Sequence, residues 1–245
     1  MQDARRVADL VAAELLDTGA RAVVLIGSVA RGEARPTSDI DLVALGTGPA
    51  DRLRIRDGRQ VSLSWRTAEQ VRAAFHEPAA AGAAVPAWRD AVVLADPAGE
   101  AAALRARAHE WDWSLIDAAA DAWVAAEVTG YAEEVHRLVG QSASGSPRTA
   151  AVMRCLLAVH LATILAVHHR ILYGSENHLW DLVAAAEGAQ WTVAQDVALG
   201  VVPAPVPEAN RAALTLYVVT AERTAHLLDR DQSAVVRTAL AVAGS

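Results

Sequence analysis

The chain has 245 residues, of which 53% are apolar, and this size and composition predict a folded protein with two modest cores or one large one. The net charge is −7, with 12 arginines against 14 acids in residues 1–100 and 10 against 15 in residues 101–245. Binding to a phosphate backbone needs clustered basic side chains, so bulk DNA or RNA is excluded as the expected partner.

The sequence also constrains the cysteine chemistry of the protein and its location in the cell. Cys155 is the only cysteine, which excludes a disulfide framework and a thiolate metal cluster, and its apolar helical setting predicts a small buried side chain. The N-terminus lacks the apolar core of a signal peptide, and the apolar stretch Cys155–Val167 is too short to span a bilayer. We therefore expect a cytoplasmic protein without a membrane partner; its oligomeric state is left open.

The first hundred residues alternate helical and strand patterns. Val7, Leu10, Val11 and Leu15 recur at helical spacing and predict a helix over residues 3–17. Strands are predicted at Ala22–Ile26, Asp39–Leu45, Gln60–Trp65 and Ala91–Ala95. The Asp57-Gly58 pair indicates a hairpin turn, Thr67 caps a helix reaching about Phe75, and a Pro- and Ala-rich loop is expected after it.

Beyond residue 100 the periodicity is almost entirely helical. Helices are predicted at about 101–138, 149–173, 175–186 and 208–229, with a Gly/Ser loop at 141–146 and a Pro-rich loop at 201–207. The expected fold class is therefore α+β: a mixed sheet with flanking helices over residues 1–100, followed by an all-α helical bundle over residues 101–245. We expect the bundle to bind an acceptor, and its acidic balance suits a cationic one.

The chemistry is concentrated in one short stretch. Gly27 and Ser28 follow a buried strand, where backbone amides opening a helical turn favour an anion such as phosphate. Asp39 and Asp41 are two apart on a strand, so both carboxylates leave the same face. Paired carboxylates suit Mg²⁺, which also binds substrate phosphates. The combination predicts nucleotide chemistry.

This stretch resembles a known signature. The sequence GSVARGEARPTSDIDL (residues 27–42) is similar to that of the DNA-polymerase-β-like nucleotidyltransferase superfamily, in which a Gly-Ser turn precedes an Asp-x-Asp strand. Its Ala-Arg-Gly and Ser-Asp-Ile-Asp forms resemble the small-molecule branch, which includes aminoglycoside nucleotidyltransferases and the minimal nucleotidyltransferases of toxin–antitoxin pairs. The segment Ala91–Gly99 also resembles the closing strand and turn of such domains, and the bundle resembles the substrate domain of kanamycin-type enzymes in pattern only.

The resemblance implies an activity and a set of roles. It implies Mg²⁺-dependent transfer of a nucleoside monophosphate from a nucleoside triphosphate, with ATP as the expected co-substrate, to a hydroxyl of a small molecule such as an aminoglycoside. Gly27, Ser28 and Ser38 would contact the nucleotide, and Asp39 and Asp41 would bind the metal. Arg31 would contact a phosphate or pair with a nearby acid such as Glu33.

The sequence departs from the family pattern at one position. The superfamily usually carries a third carboxylate on the next strand, and Gln60–Trp65 holds no acid; Ser62 is the expected occupant of that position. Three alternatives follow: transfer with fewer metals, an acid of the helical part acting as base, or a domain that binds nucleotide without transferring it. Glu127 and Glu134, which share a helix face with Tyr131, are the candidate bases. Transfer to a protein partner is a further alternative.

Overall fold

The computed structural model describes residues 2–49 and 52–244, and these form two compact units. The first contains the chain up to Leu115 together with Leu172–Glu176, a short piece that we call the return segment. The second contains Ile116–Ile171 and the chain from Asn177 onwards. The predicted division near residue 100 falls inside the first unit.

The first unit is a mixed sheet with helices. Its elements are α1 (Gln2–Asp17), β1 (Ala22–Ile26), α2 (Gly27–Arg31), β2 (Ile40–Leu45), β3 (Arg52–Arg56), β4 (Arg59–Arg66), α3 (Ala68–His76), α4 (Pro78–Arg89), β5 (Val92–Ala95) and α5 (Glu100–Glu110). The strand order in the described sheet is β3-β4-β2-β1-β5. The β2–β4 pair is parallel and the other pairs are antiparallel, so the predicted mixed sheet is confirmed.

The two faces of this sheet differ in character. One face packs against the apolar stripe of α1 and forms a core with alternate residues of the three central strands: Val23, Leu25, Ile40, Leu42, Ala44, Val61, Leu63 and Trp65. Burying this face stabilises the sheet by removing apolar area from water. Because side chains alternate along a strand, Asp41 and Ser62 leave by the opposite face.

The β3–β4 hairpin confirms the turn predicted at Asp57-Gly58. Both residues have positive φ, 49° and 72°, as a two-residue hairpin turn with the twist of the flanking strands requires. β3 is an addition to the predicted strands. It lies at the edge of the sheet and alternates arginines with Leu53 and Ile55.

The prediction of a loop after α3 is wrong, because residues Pro78–Arg89 form the helix α4. Pro78 occupies the first turn, where a missing N–H costs nothing. Pro86 lies inside the helix and cannot donate to the carbonyl of Gly82, four residues earlier. The Tyr173 N–H of the return segment donates to that carbonyl instead, at 2.8 Å. A tertiary contact thus satisfies the group that the proline leaves free.

The second unit is helical, which confirms the predicted bundle. Its elements are α6 (Asp117–Ser144), α7 (Pro147–His168), α8 (Glu176–Glu187), α9 (Ala189–Leu199), α10 (Val206–Thr224) and α11 (Arg230–Ala243). α6 continues through the loop predicted at 141–146 and stops at Gly145, which has a φ of 76°. α7 ends at His168, before the predicted end at Tyr173, because Arg170 takes a φ of 56°.

α7 extends beyond the apolar stretch Cys155–Val167 and is more exposed at one point than the sequence predicts. At 22 residues it meets the length and hydropathy expected of a membrane-crossing helix, so the estimate that the apolar stretch is too short is wrong. More than half of its apolar window is nevertheless buried inside the protein, as in the core helix of a bundle. Cys155, predicted to be buried, faces outwards from this helix and is exposed.

Candidate active site

The turn between β1 and α2 forms the first part of the site. β1 is buried from Ala22 to Leu25, which fixes the point at which the chain emerges from the sheet. Gly27 follows with a φ of 73°, a conformation that residues with a Cβ adopt at a cost. One helical turn later the chain leaves α2 at Gly32, again with positive φ. We call Gly27–Arg31 the phosphate turn.

Gly27 also lies very close to Asp41 of the acid pair. A Cβ at Gly27 would overlap with the Asp41 carboxylate. The absence of a side chain at Gly27 therefore lets the backbone of the phosphate turn lie directly against Asp41. Any group held by the turn is adjacent to any cation held by Asp41.

Asp41 lies on the predicted strand, whereas Asp39, predicted to be its first residue, lies just before it. Asp41 is the second residue of β2 and faces Ile26 on β1, while Asp39 directly precedes the strand. The pKa of the Asp41 carboxyl is raised to about 6, mainly by burial and then by repulsion from Asp39, and the Arg31 guanidinium opposes this shift. Two crowded carboxylates with one raised pKa are the electrostatic condition that a cation relieves.

Arg31 is held by two partners. Its Nε donates to Glu33 Oε2 at 2.8 Å, so the predicted pairing with Glu33 is present. Its Nη1 donates to the Gly174 carbonyl of the return segment at 2.7 Å. Arg31 is only 12% exposed, and these contacts fix its charge beside Asp41. A contact between Arg31 and a phosphate stays a prediction.

Ser38 shapes the loop in front of Asp39. Its Oγ accepts from the Arg35 N–H at 2.9 Å, and its own N–H donates to the Arg35 carbonyl at 3.0 Å. The Ser38 carbonyl accepts from Arg59 Nη2 on β4 at 3.2 Å. Sequence reasoning missed Arg59 and the return segment because both act across long separations in the chain. Contact of Ser38 with the nucleotide stays a prediction.

The strand register shows which residue of β4 lies beside Asp41. Asp41 on β2 lies opposite Ser62 on the parallel strand β4, and the assignment of Ser62 to the third-acid position stays a prediction. Within residues 2–49 and 52–244, no group of three His, Cys, Asp or Glu side chains is placed to hold a metal ion. The site therefore offers two carboxylates and one hydroxyl.

The candidate bases Glu127 and Glu134 lie on α6 in the second unit. They flank Tyr131, and its pKa is raised by burial first and then by both carboxylates. Tyr131 stacks on His160 of α7, with ring centroids 5.6 Å apart. Glu134 pairs with Arg137 at 3.3 Å. The shared helix face is confirmed, whereas a catalytic role of either glutamate stays a prediction.

The donor set of the site fits a hard divalent cation. Mg²⁺ prefers oxygen ligands and is commonly held by one or two protein carboxylates, with water and substrate phosphates completing its shell. Asp39 and Asp41 would supply those carboxylates, and the phosphate turn would place the substrate phosphates next to them.

Comparison with known proteins agrees with this geometry. Residues 10–87 match the family of nucleotidyltransferase domains. The match runs from α1 into α4 and includes both the phosphate turn and the acid pair. No curated protein matches the chain. The matched part is a nucleotidyltransferase domain of the DNA-polymerase-β-like superfamily.

Proposed function

We propose that the protein is a cytoplasmic, Mg²⁺-dependent nucleotidyltransferase that moves a nucleoside monophosphate, AMP in the first instance, to a hydroxyl of a small molecule. The observation that carries the proposal is the contact between Gly27 and the Asp41 carboxylate. The contact supports the proposal because, in it, the Gly27 backbone binds phosphate and the Asp41 side chain binds the cation. Nucleotidyl transfer needs this juxtaposition, because charge develops on the phosphates as the bond to the leaving group breaks.

Each residue of the site has a role in this proposal. The Gly27 and Ser28 amides and the Ser28 hydroxyl bind the triphosphate, and Ser38 contacts the nucleotide. Asp39 and Asp41 hold the cation, which when bound neutralises phosphate charge. Arg31, fixed by Glu33 and Gly174, contributes positive charge beside Asp41.

The reaction balances as follows. The acceptor oxygen forms a bond to the α-phosphorus, and the bond from that phosphorus to the oxygen bridging to the β-phosphate breaks. Pyrophosphate leaves with that oxygen, and the acceptor proton passes to solvent. Ser62 is a poor base, because a serine hydroxyl is only weakly acidic and stays protonated at neutral pH unless a partner activates it. Proton uptake by Glu127 or Glu134 is a separate proposal, which the variants E127Q and E134Q test.

The test is label transfer from an α-labelled nucleotide. The protein is incubated with Mg²⁺, each of the four α-labelled triphosphates in turn, and an acceptor panel that includes aminoglycosides and uncharged polyols. We expect label on an acceptor together with pyrophosphate release, and loss of both in D39A and D41A. Glu69, an exposed acid in the first turn of α3, provides the control variant E69A.

One observation favours a second function. Ser62, not a carboxylate, lies beside Asp41, so the domain is also compatible with nucleotide binding without transfer. The same experiment separates the two functions. Mg²⁺-dependent ATP binding by calorimetry, without label on any acceptor, would establish the binding function in place of the transferase.

A further inference from the structure

We propose that the acceptor is a neutral or anionic molecule whose hydroxyl is carried on an apolar body, and that this body lies on Leu53 and Ile55 of β3. We call these two side chains the apolar ledge. The inference rests on the proposed function, because it concerns the acceptor of that reaction.

The sheet register places the ledge on the same face as the acid pair. Ile26, Asp41, Ser62 and Leu53 are successive partners across β1, β2, β4 and β3. Ile55 lies opposite Gln60, two residues before Ser62. Neighbouring strands are about 4.8 Å apart, so Leu53 lies about 10 Å from Asp41 across the sheet. A small-molecule acceptor can span this distance between Asp41 and Leu53.

The direction of the reaction selects this side for the acceptor. The phosphate turn lies at the end of β1, so the β- and γ-phosphates, and the pyrophosphate that they become, lie on the β1 side of Asp41. In phosphoryl transfer the attacking and leaving oxygens lie roughly in line. The acceptor oxygen therefore arrives from the opposite side, over Ser62, and the rest of the acceptor extends towards β3.

The ledge is open to solvent. Leu53 and Ile55 are each 70% exposed, among the most exposed large apolar side chains of the described chain. Single exposed apolar residues are ordinary, but here two of them line one face of β3, the face that Asp41 shares two strands away. Both side chains are available for an apolar ligand.

The charge around the ledge disfavours a polycation. Residues 51–66 contain five arginines and two aspartates. Glu14 of α1 pairs with Arg54 and Arg56, which still leaves this end of the sheet positive. The three arginines of β3, Arg52, Arg54 and Arg56, leave the face opposite to the ledge, so they act on an acceptor through their electrostatic field and not by direct contact. A neutral or anionic acceptor fits this field, and an aminoglycoside is repelled by it.

The first test measures binding without turnover. The probe is n-hexyl β-D-glucoside, and methyl β-D-glucoside supplies the same hydroxyls without the apolar body. With Mg²⁺ and a non-hydrolysable ATP analogue present, ligand-detected NMR should show binding of the hexyl compound alone. L53T/I55T should weaken it about tenfold, since threonine has the β-branched shape that suits a strand but removes most of the apolar contact. V193T/V201T, at similarly exposed positions, should not change it.

The second test measures transfer to the same glucosides and to kanamycin. Ledge-dependent binding of the hexyl compound without label on any acceptor supports the ledge and counts against the transferase. Label on kanamycin with a KM that L53T/I55T leaves unchanged supports the transferase and overturns the ledge. Absence of hexyl glucoside binding, or equal binding by wild type and L53T/I55T, also overturns the ledge.

A second copy of the chain is the rival occupant of the ledge. β3 is an edge strand, and exposed edges pair readily with other chains. Light scattering after gel filtration tests this. A dimer that L53T/I55T converts to a monomer would assign the ledge to self-association and overturn the acceptor proposal, whereas an identical mass for both proteins is the result we expect.

Discussion

Gly27 is the residue of the phosphate turn that lies against Asp41, so a substitution of Gly27 tests the site directly. We predict that G27A lowers the affinity for Mg²⁺-ATP at least about tenfold and the free energy of unfolding by about 1–2 kcal/mol. The positive φ disfavours any Cβ, and the added methyl displaces the Asp41 carboxylate. Titration calorimetry and urea unfolding measure the two effects.

Gly174 gives the matched control, because it lies beside Arg31 in the same unit. A Cβ there would meet Arg31 at 3.7 Å, an ordinary contact, and no positive φ is required. G174A should therefore bind ATP like the wild type. Equal losses in G27A and G174A would show that the close approach to Asp41 is not the cause.

Asp41 should give the metal-free protein an unusual dependence on pH. Its folded pKa of about 6 lies above the unfolded value of 3.8, so the stability it contributes is present below pH 4 and is lost as pH rises through 6. D41N removes the ionised form. We predict that D41N raises the melting temperature of the metal-free protein by about 3 °C at pH 8, with a smaller difference at pH 4.5.

Asp112 provides a control, because its pKa is shifted in the opposite direction to that of Asp41. Its pKa is lowered by hydrogen bonds from Ser114, so its ionised form is stabilised in the folded protein. D112N should not raise the melting temperature at pH 8. If D41N and D112N shift the melting temperature alike, the effect comes from net charge and not from the crowding of Asp41 against Asp39.

At the scale of elements, the pairing of β2 with β4 makes a prediction about Ser62. S62D would place a third carboxylate directly beside Asp41. We predict that S62D raises the rate of transfer about tenfold or more at saturating Mg²⁺, because a carboxylate adds both a metal ligand and a base. The rate of label transfer measures the change.

Ser64 is the control for this register. It leaves the same face of β4 but lies opposite Val43, about 7 Å further along the strand. S64D should not raise the rate. An S62D protein that binds Mg²⁺-ATP and transfers no faster than the wild type would contradict the assignment of Ser62 to the third position.

The elements that carry the site could be predicted because their signals are local. A β-branched run predicts β1, Gly-Ser predicts the turn, and alternation predicts β2. Thr67 caps α3 as predicted, with the reciprocal bonds to Gln70 that define a capping box.

The elements that were missed depend on distant partners. Two prolines and many alanines suggest a loop after α3. Yet α4 forms, because the Tyr173 N–H donates to the Gly82 carbonyl, to which Pro86 cannot donate. Arg59 reaches Ser38 across 21 residues, and Arg31 reaches Gly174 across 143. No local pattern contains such contacts.

At the scale of the whole molecule, the two compact units predict stepwise unfolding. Each unit has its own buried core, and the proposed nucleotide ligands all lie in the first. We predict two calorimetric transitions. Mg²⁺-ATP at 100 times its Kd should raise the temperature of only one of them, because mass action stabilises the unit that binds it by about 2.7 kcal/mol. A single transition with equal calorimetric and van't Hoff enthalpies would contradict this.

The return segment has a consequence for the order of events during synthesis. Leu172–Glu176 belongs to the first unit, although 56 residues of the second unit separate it from Leu115. Domains generally fold from the N-terminus as they emerge from the ribosome. This domain cannot complete the anchoring of Arg31 until Gly174 has emerged, so a nascent chain that stops after α5 has every proposed nucleotide ligand but an arginine that is held by Glu33 alone. Full competence to bind nucleotide should therefore appear only after α6 and α7 of the helical unit have been made.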